Sequence, residues 1–95
     1  MTILGTARFR IREGELDAAL DAIRTFVAHT RTEPGTLRYE SWRSLVDPLA
    51  FEHQMEFADQ AAEDVHGSSD AVRAFTSVLY SLCEQEPTFE HWERV

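Results

Sequence analysis

Apolar and polar residues alternate at the start of the chain. In ILGTARFRI, residues 3 to 11, Ile3, Ala7, Phe9 and Ile11 fall on one side and Thr6, Arg8 and Arg10 on the other. A period of two predicts a strand with one buried face. REGE makes a turn, with Glu13 and Glu15 where a helix dipole favours acids. The period then lengthens: Leu16, Ala19, Leu20, Ile23, Phe26 and Val27 recur at threes and fours, which predicts an amphipathic helix. Pro34 and Gly35 are expected to stop it, the proline by disfavouring helical geometry at the preceding residue and the glycine by accepting a positive φ.

Alternation returns in TLRYESWRSL, with Leu37, Tyr39 and Leu45 set against Arg38, Glu40 and Trp42. VDPL supplies turn chemistry through Asp47 and Pro48, and AFEHQMEF alternates again with Phe51, His53, Met55 and Phe57 on one face. These two strands read as a hairpin. DQAAEDVH is long enough for about two helical turns, with Gly67 suited to a left-handed cap and Ser68, Ser69 or Asp70 to cap the next helix. That helix carries Val72, Phe75, Val78, Leu79 and Leu82 at helical spacing and leaves at Pro87. TFEHWERV alternates once more, giving a fourth strand with Phe89, His91 and Val95 opposite Glu90, Trp92 and Arg94.

The order is β-α-β-β-α-β, an α+β chain of ferredoxin-like type: a four-stranded antiparallel sheet with its helices on one face. Residues 1 to 95 read as a single domain, and no linker or low-complexity stretch divides them. The opposite sheet face would carry residues such as Leu4 and Trp42, and pairing two such faces in a homodimer removes them from water.

An apolar fraction of 43% belongs to a folded chain. The net charge of −8 and the scatter of the basic residues, all nine of them arginine, argue against a nucleic-acid partner, which needs clustered cations. Cys83 is the one cysteine, so an intrachain disulfide or a cysteine-built zinc site is excluded. The first residues meet Arg8 and Arg10 before any long apolar run. No signal peptide or membrane partner is therefore expected, and the location is expected to be cytoplasmic.

Four pieces in order resemble the antibiotic biosynthesis monooxygenase family of the dimeric α/β-barrel superfamily. They are RTEPGTLRYE, the DP hairpin before AFEHQMEF, the run FADQAAEDVH ending on His66, and the helix with Phe75 nine residues after that histidine. The resemblance implies a dimeric α/β barrel and, often, oxygenation of an electron-rich aromatic, quinol or polyketide-like substrate by dioxygen with no cofactor. The family's usual glutamate two residues before the strand-end aromatic is Met55 here, and that aromatic is Phe57. Ala7 in the first strand and the lack of a histidine in the helix after Ser69 set the chain apart from the haem-degrading branch.

Such chemistry asks for an apolar enclosure, a group to take a proton and donors for a developing oxyanion. His66 and His53 are the catalytic candidates, since histidine titrates near neutrality. Tyr39, Phe57, Phe75 and Phe9 are the substrate-binding candidates, with Leu79 beside them. Each has a plainer reading: His66 as the end of a short helix with Glu63 as partner, His53 as a satisfied core histidine, Tyr39 as a tethered core ring, and the phenylalanines as core. Relatives of this fold also include isomerases and degradative enzymes of small keto compounds, and a non-catalytic small-molecule binder is a third reading. The four histidines show no metal-ligand spacing.

Overall fold

A computed structural model describes all residues, 1–95. The elements are β1 (Ile3–Arg10), α1 (Leu16–Thr30), β2 (Thr36–Arg43), β3 (Ala50–Phe57), α2 (Gln60–Gly67), α3 (Asp70–Leu82) and β4 (Thr88–Glu93). The sheet runs β2-β3-β1-β4 and every neighbouring pair is antiparallel. This is the ferredoxin-like arrangement, with the second helical region split into α2 and α3.

The alternation of β1 and β3 is satisfied by opposite environments. Ala7, Phe9, Phe51, His53 and Phe57 are buried against the helices, while Arg8 is exposed. Small residues of β1 face large ones of β3: Gly5 pairs with Met55 and Ala7 with His53. A Cβ added at Gly5 would lie 3.0 Å from Met55 Cγ, so the missing side chain gives Met55 its place. The core joins Phe9, Phe51 and Tyr39 of the sheet to Ile23 and Phe26 of α1 and Phe75 and Leu79 of α3. Phe26 and Phe75 stack with centroids 4.1 Å apart and rings 2° from parallel, an arrangement that adds about 0.5–1.5 kcal/mol to simple burial.

Several turns are built differently from the sequence expectation. α1 ends at Thr30, before Pro34, and the positive φ falls on Gly14, in the turn before α1, and on neither Gly35 nor Gly67. Gly35 is needed for space, because a methyl there would run into the Cβ of Ala62 on α2. Gly67 is the last residue of α2, and Ser68 follows as its cap. Of the candidate caps, Ser69 begins α3, its hydroxyl accepting from Val72 N at 3.2 Å. Asp59 does the same for α2, accepting from Ala62 N at 2.8 Å. In the hairpin, Ser44 Oγ accepts from Val46 N and Asp47 N, and Asp47 accepts from Leu49 N.

β2 stops at Arg43, which leaves Leu45 outside the strand and fully exposed, and Leu37 is exposed too. β4 is exposed on both sides, Phe89 and Trp92 included. The sheet face away from the helices carries tryptophans near its two edges, Trp42 on β2 and Trp92 on β4. Between them lies a charged ladder, with Arg8 2.6 Å from Glu52 and Arg38 bridging Glu40 and Glu56. That face is amphipathic where the sequence suggested an apolar one.

The contact between Gly35 and Ala62 has a measurable consequence. Gly35→Ala is expected to lose about 1–3 kcal/mol by overpacking. The double variant Gly35→Ala/Ala62→Gly should lose less than the two single losses combined in urea unfolding. Additive losses would show that the two residues do not press on each other.

Candidate functional site

The helix side of the sheet encloses a cavity of about 70 Å³. Its floor is Ala7, Phe9, Tyr39, His53 and Met55, and its roof is Phe26 of α1 with Val72, Phe75, Thr76 and Leu79 of α3. His66 of α2 closes one side, and Tyr80, Pro87 and Phe89 complete the wall. Tyr80 and Phe89 are exposed and form the rim. The volume is below the roughly 150 Å³ that accepts benzene in a closed protein interior, so a ring-sized ligand requires this rim to move. On the far side of the Phe26–Phe75 stack lies an open groove between α1 and α3, about 410 Å³, lined also by His29, Ala71 and Val78.

Of the residues singled out from sequence, His66, His53, Tyr39, Phe75, Phe9 and Leu79 meet at this cavity. Phe57 does not line it. It is 1% exposed and packs behind His66, ring centroids 5.1 Å apart. His29 belongs to the outer groove, and His91 sits on β4 with Nε2 2.9 Å from Glu63. Cys83 is buried at the end of α3, where burial pushes its thiol upward. No three His, Cys, Asp or Glu side chains converge in a way that could take a metal ion, and no helix is long and apolar enough to cross a membrane.

His53 is 1% exposed and held from several sides. Its Nδ1 lies 2.9 Å from the Tyr39 hydroxyl, the Phe9 ring stands edge-on at 5.0 Å and Phe75 lies nearly parallel at 6.0 Å. Its Nε2 is buried with no hydrogen-bond partner. Burial lowers its pKa from 6.5 to about 4, because an imidazolium in this apolar setting loses its hydration without gaining a counter-charge. Burial, reinforced by the charge of Glu33, pushes the Tyr39 hydroxyl well above its ordinary value. The pair is neutral at pH 7.

His66 is arranged differently. Its Nδ1 lies 2.8 Å from Glu33 Oε1, and both side chains are nearly buried, at 10% and 12% exposure. Glu63, the partner suggested by helical spacing, turns instead to His91 and Gln60. Glu33 Oε1 also accepts from the Thr36 hydroxyl at 3.3 Å, which fixes the carboxylate in the α1–β2 connection. A carboxylate only accepts, so Nδ1 of His66 carries hydrogen and Nε2 is the atom left to take a proton. Tyr39, Phe26 and Phe57 surround the ring, with centroids 5.1 to 5.9 Å away.

The antibiotic biosynthesis monooxygenase family pattern matches residues 2–77. The chain belongs to that family. Among solved structures, an antibiotic biosynthesis monooxygenase is 26% identical with a TM-score of 0.93, each chain covered to 98%. Protein SO0527 from Shewanella oneidensis is 31% identical with a TM-score of 0.89, covering 98% of this chain and 90% of that one. A conserved protein from Methanosarcina mazei Go1 shares the fold at a TM-score of 0.96 with 17% identity, covering 100% and 94%. No curated protein matches.

Glu33 is the site residue that sequence reasoning missed. Its signal was an acid just past the C-terminal end of a helix, on the side that the dipole disfavours. Phe26, assigned only to the core, also lines the cavity, as do Ala7, Val72, Thr76, Tyr80, Pro87 and Phe89.

The depressed pKa of His53 makes stability depend on pH. The unfolded chain protonates this histidine near 6.5 and the folded chain only near 4. Between those values the unfolded state binds more protons, so stability falls as pH falls through this window, by about 3 kcal/mol in all, and the term is constant below it. Urea unfolding at pH 7.5 and pH 4 is expected to show His53→Phe losing about 3 kcal/mol less than wild type over that interval. Parallel pH dependences would show that burial does not shift the His53 pKa.

Proposed function

We propose that this protein is a monooxygenase of the family's type, acting with dioxygen and without a cofactor on a small aromatic, quinol or polyketide-like substrate. The cavity between sheet and helices receives the substrate. His66 and His53 are its catalytic residues, Tyr39, Phe75 and Phe9 contact the substrate, and Phe57 supports His66 from behind. The observation that carries the reading is the Glu33–His66 pair, which holds an oriented imidazole at the wall of a largely apolar enclosure.

The reaction assigns the protein few tasks. His66 Nε2 takes a proton from an activated carbon or phenol, and the resulting anion passes one electron to dioxygen. The superoxide and substrate radical join as a peroxide, which loses water and leaves a carbonyl. In sum, an activated CH₂ and O₂ become C=O and H₂O. The apolar walls favour the electron transfer by keeping water from the anion, and Glu33 holds the imidazolium formed on His66.

A homodimer fits the same account. Trp42 and Trp92 are each about half exposed on the sheet face away from the helices, and a shallow depression there is walled by Leu4, Arg38 and Trp92. A second copy would cover these rings and pair the alternating charges.

One observation favours a second reading. The enclosed volume of about 70 Å³ suits a small keto compound better than a polycyclic one, which fits an isomerase or degradative enzyme on this scaffold. A non-catalytic binder is what would remain if neither activity exists.

Oxygen uptake with an anthrone or a reduced quinol in metal-free buffer separates these. Wild type is expected to consume oxygen, and His66→Gln to lower kcat by about 10²-fold or more while still folding. Turnover of a small keto compound under strict anaerobiosis would replace oxygenation by isomerisation. A ligand-dependent rise in Tm with no product under either atmosphere would mark a binder.

A further inference from the structure

The two cavity histidines have different partners, and the difference fixes which atom of His53 a ligand meets. Tyr39 Oη and His53 Nδ1 are 2.9 Å apart, and neither side-chain group has another partner. Two neutral arrangements satisfy that contact. In one, the Tyr39 hydroxyl donates to the Nδ1 lone pair and the ring hydrogen sits on Nε2. One buried polar group, Nε2–H, is then unpaired. In the other, Nδ1–H donates to the phenol oxygen, and both the phenol hydrogen and the Nε2 lone pair lack partners. The first leaves fewer buried groups unsatisfied and is the resting state.

No protein group stands ready to accept from Nε2–H. The Thr76 hydroxyl at the cavity wall donates to Arg73 O at 3.2 Å and makes no hydrogen bond with Nε2. Ala7, opposite His53 on β1, has nothing to offer. His53 is a wall residue of the cavity, 1% exposed, and its Nε2 lacks any acceptor, a need that a bound ligand's oxygen would meet.

We propose that His53 is a hydrogen-bond donor through Nε2–H, held in that tautomer by Tyr39, and that the cavity's ligand brings an acceptor oxygen of the ketone or enolate class to this atom. His66, oriented by Glu33, handles the proton, so the pair of histidines divides the work. Besides its contact with the substrate, Tyr39 positions His53 through the hydrogen bond to Nδ1. This assignment rests on the cavity being the substrate site, and it holds whether the reaction is an oxygenation or an isomerisation. Both pass through an oxygen that gains negative charge, where a preorganised donor is most effective.

The tautomer is directly observable in the free protein. A long-range proton–nitrogen correlation spectrum of the His53 ring is expected to show Nε2 protonated and Nδ1 as a bare lone pair, and Tyr39→Phe to remove the preference. Cyclopentanone is expected to shift the Nε2 resonance saturably. It should bind about tenfold more tightly than methylenecyclopentane, the same ring without the oxygen, and His53→Phe should abolish the difference. A proton on Nδ1 with a bare Nε2 in the free protein overturns the donor assignment. Equal binding of the two probes, or binding of neither, overturns the ligand class. Failure of the oxygenase reading looks different: no oxygen uptake with any quinol, while the tautomer and the ketone preference persist.

Discussion

The hydrogen bond between Tyr39 and His53 is the constraint on which the site depends. It joins β2 to β3 inside the core, between residues that are 4% and 1% exposed. The chain spends a polar pair where it could have spent two apolar rings, and one polar atom is still left over. A buried network only partly satisfied is costly, and the surrounding aromatics hold it in place. Phe9 and Phe75 pack on His53, and Phe26 stands edge-on to Tyr39 with centroids 5.4 Å apart. The small residues of β1 opposite His53 and Met55 leave the room in which these rings and the cavity coexist.

Two histidines at one cavity acquire different chemistry from their partners. His53 meets a phenol and hydrocarbon, stays neutral and keeps one buried polar atom without a partner. His66 meets a carboxylate, which fixes its hydrogen on Nδ1 and supports a positive ring if one forms. His66 hangs from the last turn of α2, and its partner comes from the connection that carries Gly35, whose lack of a side chain lets α2 approach. The backbone economy at residue 35 and the electrostatics at residue 66 are thus parts of one local arrangement.

Most of the fold was legible in the chain because one face of each main element is apolar at a clear period. β1, α1, β3 and α3 stand where their periodicities place them, and the two-piece character of the α2–α3 region follows from the serines after Gly67. Glycine function was misread where tertiary packing decided it: Gly35 yields space to Ala62 and no unusual φ is involved. The apolar residues Leu37, Leu45 and Phe89 suggested burial, yet the chain by itself does not cover them. At the site, Phe9, Tyr39, Phe75 and both histidines could be named in advance, whereas Phe26 was read as core and Phe57 lies behind His66. The hydrogen bonds of the histidines could not be named, because they connect residues 14 and 33 positions apart. Local spacing suggested Glu63 for His66, and tertiary structure supplied Glu33.

Tyr39 and His53 act as one buried, coupled pair, and a double-mutant cycle in stability measures that coupling. Tyr39→Phe and His53→Phe each leave the other member unpaired in the core, whereas the double variant removes both polar groups. The double variant is expected to lose less than the two single losses combined, by about 1 kcal/mol or more. Losses that add would contradict the coupling, because the two side chains would then be neighbours without being partners.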